Sequence, residues 1–475
     1  MLGVTRVNCN LAPGNIKLDS FIKPITDRGP TVCVIALSDI PNDPRVRRQC
    51  DALFDAGWNV IAVGVPGTDD PSCRWPIRVG GTARSDAVGN ASAASNASNV
   101  LSSNKSVFRA LKQLARDLLG ERAYERLKNF RRRLGNIRHR LGARPVHFTR
   151  MYFNPEFAES IYWSWPNIQQ MFAAAADIKA DLWLANDWTA LPVAARLAQA
   201  NGGLYVYDTH EFAVNEYAQR WQWRLLYRPI VRQVEKRYIA DAKVISTVSS
   251  GIADALEKLY KLPVKPAVIR NAPQFSQSYF RPTGERIRLL YHGIVAPGRG
   301  LEEAIDSVPL WRDEYTFHIR GPGDAVYLQS LRDRIRSLGL EQRVMMLPPV
   351  AMIDLVERAR EFDVGFFALK GHSLQNEFVL PNKFFEYTMA GLALCVSDLP
   401  EMTRLCQQYK HGVVFKGLEK ETIAATVNGL TREVIDRMKH AAIAASPQLC
   451  WGNESERMLA LYTQTLAKHG LAVTE

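Results

Sequence analysis

The stretch from residue 377 to residue 404 limits the possible folds more than any other part of the chain. Its pattern predicts a loop at 380–382, a helix from about residue 383 to 390 that stops at Gly391, and a short apolar strand at 392–396. Glycine directly after a helix is typical of a helix C-terminus. A short strand that is apolar on both faces is typical of a parallel sheet covered by helices. The pattern therefore predicts an α/β fold.

The start of this helix carries groups that suit a phosphorylated ligand. In an open α/β sheet, ligands bind at helix N-termini and beyond the carboxyl ends of the strands. Asn382 and Lys383 offer free backbone N–H groups, the positive end of the helix dipole and an ammonium group. Glu386 follows one turn later on the same side. We expect Asn382 and Lys383 to bind a phosphate, and Glu386 to accept hydrogen bonds from the two hydroxyls of a ribose.

Four segments of the chain resemble one family of enzymes. The run LPNKFFEYTMAGLALCVSDLPEM at 380–402 is similar to the donor-nucleotide signature of the retaining GT-B glycosyltransferases of family 4. Three more segments resemble the same family: NDPRVRRQCDALFDAGWNVIAV at 42–63, the pair AND-x4-P and YDTHE within 185–211, and IRLLYHGIVAPGRGLEEAIDSV at 287–308. The resemblance covers about residues 30–465.

The resemblance implies a GT-B fold, in which two Rossmann-like parallel-sheet domains face a cleft. It implies an acceptor in the first domain, a UDP- or GDP-linked sugar in the second, and transfer with retention at the anomeric carbon without a metal ion or cofactor. The segments we predict are a loose one at 1–29, a first domain at 30–275 with a flexible stretch at 84–104 and a basic amphipathic helical insertion at 105–145, a linker at 276–286, a second domain at 287–453, and a helix at 454–475 that crosses back to the first domain.

The resemblance also implies which residues form the site. The catalytic candidates are His210, Glu377, Arg299 and Lys383. The donor-binding candidates are Gly293, Arg299, Gly321, Pro322, Pro381, Asn382, Lys383 and Glu386. Relatives place the Gly–Pro turn beside the nucleotide base. No His/Cys cluster has the spacing of metal ligands. Without a metal ion, the protein itself must neutralise the leaving diphosphate, and the groups available for this are Arg299, Lys383 and the helix dipoles.

Two positions depart from the family pattern. The usual Glu-x7-Glu motif ends here at Glu386, but its first position holds Phe378, next to Glu377. Many relatives also carry a second basic residue where this chain has Ile294. Either Glu377 contacts the sugar through a shifted loop, or backbone amides of residues 376–382 hold the sugar.

Four polar residues of the first domain can each have either a ligand-binding or a structural role. Arg45, Arg47 and Arg48 lie at a predicted helix start, where at least one is expected to face the cleft and a diphosphate; a solvated helix face is the alternative. A lone histidine is more often structural, but His210 follows a predicted strand at its carboxyl end, which favours a functional role. Relatives place this histidine at the acceptor and sugar end of the cleft, and here Asp187, Asp208 and Glu211 are expected nearby.

Basic charge is concentrated in one segment. The net charge is +12, and between Lys105 and Arg150 there are 14 Lys and Arg against three acidic residues, which is 14 − 3 = +11. An apolar stripe beside a basic face is typical of helices that bind anionic membranes. The alternatives are packing on the domain core or a coiled-coil-like surface for a protein partner. Nucleic acid is not expected, because no aromatic stacking platform or base-reading motif accompanies the charge.

A second stretch mixes aromatic and basic residues. Residues 217–228 interleave tyrosines and tryptophans with three arginines. This stretch is expected to border the acceptor pocket, to contact lipid headgroups, or to be an amphipathic helix whose arginines extend to water. Seven scattered cysteines, the missing signal peptide and the missing membrane span predict a cytoplasmic protein at the inner face of the membrane.

The sequence thus leads to one functional hypothesis and two alternatives. The hypothesis is a membrane-associated, metal-independent glycosyltransferase that extends a glycan or a lipid-linked acceptor in polysaccharide or glycoconjugate synthesis. One alternative is a sugar-nucleotide 2-epimerase of the same fold, which would need no lipid surface. The other is a catalytically idle GT-B binding subunit, which stays open because of Phe378 and Ile294.

Overall fold

The protein forms two parallel β-sheets, each covered by helices. Its structure is a computed structural model that describes residues 29–67, 70–80, 152–371 and 373–471. The predicted loose segment up to residue 28, the flexible stretch at 84–104 and the basic segment at 105–145 lie outside the described residues. Within the described ranges, every helix is too short or too polar to span a bilayer.

The first sheet has seven parallel strands in the order β3-β2-β1-β4-β5-β6-β7. The strands are β1 (Thr31–Ala36), β2 (Asn59–Gly64), β3 (Ile77–Val79), β4 (Leu182–Asn186), β5 (Leu204–Thr209), β6 (Ile245–Thr247) and β7 (Ala267–Val268). Its helices are α1 (Pro44–Asp55), α2 (Pro155–Trp163), α3 (Pro166–Ala175), α4 (Asp187–Asn201), α5 (Arg228–Ile239) and α6 (Ser250–Tyr260).

The second sheet has six parallel strands in the order β10-β9-β8-β11-β12-β13. The strands are β8 (Ile287–His292), β9 (Tyr315–Arg320), β10 (Val344–Leu347), β11 (Val364–Phe367), β12 (Ala393–Ser397) and β13 (Gly412–Phe415). The helices are α7 (Leu301–Ser307), α8 (Ala325–Ser337), α9 (Leu355–Ala359), α10 (Leu374–Glu377), α11 (Asn382–Met389), α12 (Pro400–Tyr409), α13 (Lys420–Asn428), α14 (Arg432–Ala445) and α15 (Trp451–Lys468).

The predicted α/β class with two Rossmann-like domains is confirmed. The strand order reverses between β8 and β11, and such a switch point opens a crevice at the carboxyl ends of the strands. The predicted helix–glycine–strand unit is present as α11, Gly391 and β12, and Gly391 has a φ of +76° that favours glycine. All five residues of β12 are buried, as expected for an inner parallel strand.

The last helix, α15, packs on the first sheet rather than on the second. Trp451, Met458, Tyr462 and Leu466 are buried in one cluster with strands β1, β2 and β4. At the start of this helix, the buried carboxylate of Glu454 accepts hydrogen bonds from the backbone and side chain of Arg270. The helix therefore ties the end of the chain to the first domain.

Candidate functional site

The loops after β8 and β9 meet at the switch point of the second sheet. The backbone N–H of Val295 donates to the carbonyl of Pro322 at 2.8 Å. Gly321 approaches so closely that a Cβ there would lie 1.8 Å from the Gly293 carbonyl oxygen. Only glycine fits this contact. The structure thus brings together three of the predicted donor-binding residues: Gly293, Gly321 and Pro322.

Lys383 lies directly above this junction. Its Nζ is 4.3 Å from the ring centroid of Tyr291 and 4.6 Å from that of Phe367, within cation–π distance of both. A Cβ on Gly293 would come within 3.2 Å of the same atom. Burial and the neighbouring positive charge of Arg299 lower the pKa of Lys383 to about 7. Among the described residues, neither cation forms an ion pair, so both are available to an anion.

Glu386 lies one turn along α11 and is held from the second sheet. Its Oε2 lies 2.8 Å from Nε2 of His292, the last residue of β8. The backbone N–H of His292 donates to the hydroxyl of Tyr387, which fixes the strand end against the helix. Burial opposes ionisation of Glu386, but the hydrogen bond from His292 and the charges of Arg48 and Lys383 lower its pKa. The carboxylate is therefore ionised and oriented.

The two domains contribute charges to one site. The charge of Arg48, from α1 of the first domain, acts on Glu386 of the second. Conversely, Arg299 of the second domain acts on Glu211 of the first. Burial, Glu216 and Asp187 raise the pKa of Glu211 to about 8, and the charges of His210 and Arg299 oppose this rise. The carboxyl ends of both sheets thus face each other, and each domain contributes cations and carboxylates.

His210 is held by the turns after β4 and β5. Its Nε2 lies 3.1 Å from Oδ1 of Asn186 and 3.3 Å from Asp208, and its backbone N–H donates to Asp187. Asp187 has a φ of +62°, a left-handed conformation that is uncommon for a residue with a side chain. Burial lowers the pKa of His210, but Asp187 and Asp208 raise it to about 9. At neutral pH the imidazole is therefore charged and donates hydrogen bonds.

A cavity of about 210 Å³ opens beside His210 in the first domain. Its lining includes four carboxylates and an indole: Asp43, Asp187, Glu211, Glu216 and Trp188. The Nδ2 of Asn186, on the same wall, is buried and has no hydrogen-bond partner among the described residues. Carboxylates beside an aromatic ring and an unpaired amide suit a polyhydroxylated ligand without negative charge.

The three arginines near the start of α1 have different roles. Arg45 is buried and donates to both oxygens of Asp208, so it is not the arginine of this set that faces a diphosphate. Arg47 pairs with Asp51 and Asp70 on the outside of α1. Arg48 is the member of the set that faces the cleft.

Phe378 does not enter the donor side of the cleft. A Cβ on Gly251, in the first turn of α6, would lie 2.4 Å from the Phe378 ring, so the ring rests directly on that backbone. The carboxylate of Glu401 accepts a hydrogen bond from the Gly251 N–H, and Gln375 accepts one from Phe212. These three contacts join the domains, and we call them the α10–α12 latch.

Glu377 is outside the cavity beside His210. It lines a different cavity of about 470 Å³ with Lys370, Asp398 and the loops after β12 and β13. Among the described residues, neither Pro381, which precedes α11, nor Asn382, its first residue, forms a hydrogen bond with Glu377. The predicted contact of Glu377 with the sugar stays a prediction.

We expect Gly251→Ala to weaken donor binding about tenfold, because the new methyl group would push Phe378 away and overpacking costs about 1–3 kcal/mol. Donor titration measures the effect. Gly284→Ala is the matched control, since no atom lies within 4 Å of its added Cβ. Adding Phe378→Ala to Gly251→Ala should restore affinity, and unchanged affinity in the single variant would contradict the latch.

Comparison with known proteins fits this geometry. Residues 286–433 match the family described as Glycosyl transferases group 1. No curated protein matches the chain. Sucrose-phosphate synthase from Thermosynechococcus elongatus superposes with a TM-score of 0.62 at 13% identity, over 92% of this chain and 100% of that one. HepE from Anabaena in complex with UDP-glucose gives a TM-score of 0.59 at 14% identity, over 91% of this chain and 100% of that one. A glycosyltransferase from Rickettsia africae superposes with a TM-score of 0.57 at 11% identity, over 92% of this chain and 99% of that one.

The protein has the GT-B fold. In this GT-B protein, sequence reasoning missed three kinds of site residue. His292 forms a hydrogen bond with Glu386. The rings of Tyr291 and Phe367 contact the ammonium of Lys383. Asn186 forms a hydrogen bond with His210. A signal was available for two of them, because His292 and Asn186 each end a buried strand with a polar residue, as His210 nearly does. Within the described ranges, there is no cluster of three or more potential metal ligands.

Proposed function

We propose that the protein is a glycosyltransferase that moves a sugar from a nucleotide-sugar to a hydroxyl of a glycan or lipid-linked acceptor, with retention and without a metal ion. One observation carries this: two cations without ion-pair partners among the described residues, Arg299 and Lys383, converge at the switch point of the second sheet. Together they match the two negative charges of a nucleoside diphosphate.

The roles of the other residues follow from this arrangement. Glu386 accepts the ribose hydroxyls, and the Gly321–Pro322 turn lies beside the base. His210, charged at neutral pH, donates a hydrogen bond to the sugar or to the acceptor. With Phe378 engaged in the latch and Glu377 in another cavity, we propose that backbone amides of residues 376–382 hold the sugar hydroxyls. A UDP-linked donor is the first candidate, because HepE is similar to this chain and is described in complex with UDP-glucose.

We further propose that the enzyme works at the cytoplasmic face of the membrane, in polysaccharide or glycoconjugate synthesis. The support is the excess of basic charge at residues 105–150, which suits an anionic leaflet. The acidic cavity beside His210 then takes the sugar end of the acceptor, whose hydroxyls carry no charge.

The first test is thermal stabilisation by UDP, GDP, ADP and their common sugars. A ligand at about 100 times its Kd adds roughly 2.7 kcal/mol to stability. We expect one nucleotide to raise the melting temperature of the wild type and not that of a Glu386→Ala, Lys383→Met double variant. If no nucleotide acts at millimolar concentration, the idle binding subunit becomes the better description.

A second test addresses the stereochemistry and the metal. With the donor identified, slow hydrolysis in water releases free sugar, and proton NMR reports its first-formed anomer before mutarotation. We expect the anomer of the donor, at the same rate with and without a chelator. The opposite anomer would contradict retention, and loss of activity with the chelator would contradict metal independence.

Donor affinity should fall as pH rises above 7. Lys383 is charged below its pKa of about 7 and neutral above it, whereas the diphosphate diester of a nucleotide-sugar keeps its charge throughout. Since binding favours the charged amine, Kd should rise about tenfold per pH unit above that value. Isothermal titration between pH 6 and 9 checks this. Lys383→Met should bind weakly with a much flatter profile, and a steep slope retained in that variant would assign the effect to another group.

A further inference from the structure

A groove with a strongly basic wall runs along α5 in the first domain. The π-helical turn Trp223–Tyr227 leads into α5, and together they form one wall. The end of α6 and residues 152–153 form the other, and the enclosed volume is about 470 Å³. We call this the α5 groove. It shares no lining residue with the cavity beside His210.

Four cations point into the α5 groove from one helix face. Arg224, Arg228, Arg232 and Lys236 recur at every fourth residue, and all four line the groove. In the part of the chain that the structure describes, none of them forms an ion pair. Like charges four residues apart on a helix repel each other and reduce stability. An arrangement that costs stability and that no described carboxylate pairs with indicates an anionic ligand.

A buried carboxylate on α5, Glu235, does not pair with these cations. Glu235 is buried behind the groove wall, where it accepts hydrogen bonds from the hydroxyls of Tyr207 and Tyr260 at 2.6 Å. Burial raises the pKa of Glu235 to about 7, so it is only partly charged at neutral pH. The hydrogen bonds of Glu235 therefore go to the two tyrosines and not to the cations of the groove.

Large apolar side chains flank the cations. Phe153 is 84% exposed and Trp221 is 51% exposed, and Leu225 and Tyr227 are exposed in the same turn. Solvated apolar groups of this size beside arginines favour the boundary between headgroups and acyl chains, where rings insert and cations meet phosphates. A soluble phosphate would use the cations but leave the rings in water.

We propose that the α5 groove docks the protein on a membrane, with its cations on the phosphates of anionic phospholipids and with Phe153 and Trp221 at the acyl boundary. This inference rests on the proposed membrane association. It adds a surface that is built from described residues, none of which belongs to the basic segment at 105–145.

The test compares three variants by sedimentation with vesicles of phosphatidylglycerol and phosphatidylcholine. The groove variant is Arg228→Gln, Arg232→Gln, Lys236→Gln, and the segment variant is Arg131→Gln, Arg132→Gln, Arg133→Gln. The charge-matched control is Arg332→Gln, Arg432→Gln, Lys468→Gln, whose side chains are exposed elsewhere. Each variant lowers the net charge from +12 to +9. Thermal stabilisation by the donor nucleotide is measured in parallel.

We expect the groove variant to need about a hundredfold more phosphatidylglycerol for half-maximal binding, since each Lys or Arg at an anionic surface contributes about a factor of five. The control should bind as the wild type does, and nucleotide stabilisation should be unchanged in all three. Phe153→Ser should also weaken vesicle binding while leaving the salt dependence intact.

Other outcomes separate the two claims. If the wild type binds no anionic vesicles, both the membrane association and this inference fail. If the wild type binds and the groove variant binds equally well, or only the segment variant loses binding, the groove inference alone is overturned. It is also overturned if millimolar pyrophosphate, rather than vesicles, stabilises the wild type in a groove-dependent way.

Discussion

Replacing Lys383 with methionine is expected to lower kcat/KM about a thousandfold. The ammonium lies between two aromatic rings at the switch point, next to Arg299, at the place that we propose for the leaving diphosphate. Removing one preorganised donor from such a site costs about 10²–10³ in rate, and a full charge in a buried place belongs at the upper end. Donor hydrolysis or sugar transfer, followed by release of the nucleotide, measures this.

Stability separates this effect from damage to the fold. Burial and a neighbouring cation already make the charged form of Lys383 unfavourable, so methionine of similar shape should leave the melting temperature unchanged or raise it. Lys383→Arg should not rescue activity, because the guanidinium is planar and larger. Lys416→Met, an exposed lysine of the same domain, is the control and should retain full activity. Activity of Lys383→Met within tenfold of the wild type would place the diphosphate elsewhere.

The second domain was predictable from sequence because its signals are local. The helix start at Lys383, the stop at Gly391 and the short apolar strand after it lie within fifteen residues of one another, and each has a direct chemical reason. The position of Glu386 on the same side as Lys383 needs only helical periodicity. These features were found at their expected places, with boundaries shifted by one residue.

Contacts between distant residues were not predictable in this way. Arg45 and Asp208 are 163 residues apart, and the sequence offered no sign that they pair rather than face a ligand. Phe378 departs from the family pattern, which the sequence shows, but the contact of its ring with Gly251 depends on how the two domains pack. The partner of Glu386 is His292, which is set by the β8 strand end and not by any motif. The basic segment at 105–145 lies outside the described residues, so its predicted helix stays a prediction.

The Arg45–Asp208 pair is expected to be the most sensitive point for the stability of the first domain. Arg45 donates to both oxygens of Asp208 and to the carbonyl of Ile269, and all of these atoms are buried. Gln49 and Ser246 donate to the same carboxylate. Removing one partner from a buried ion pair costs about 3–5 kcal/mol, because the other charge is left without compensation. Arg45→Met should therefore lower the free energy of unfolding by this amount in urea titrations at pH 7.

Acid should reduce the difference between Arg45→Met and the wild type. Burial raises the pKa of Asp208, but the charge and hydrogen bonds of Arg45 hold it well below its usual range. A depressed carboxyl pKa stabilises the fold above the unfolded-state value near 4, and this stabilisation is lost as pH falls toward the folded-state value. In Arg45→Met the largest cause of that depression is removed, so the variant has less to lose between pH 5 and 3 and the two unfolding free energies should converge.

A double-mutant cycle decides whether the pair or the separate residues carry this stability. Asp208→Asn alone leaves Arg45 buried without its counter-charge and should also be strongly destabilising. Arg45→Met combined with Asp208→Asn removes both charges and should cost clearly less than the sum of the single changes. Strict additivity would mean that the two side chains act independently. Because Asp208 also lies 3.3 Å from His210, the double variant should lower the pKa of that imidazole, which NMR titration of the ring protons detects.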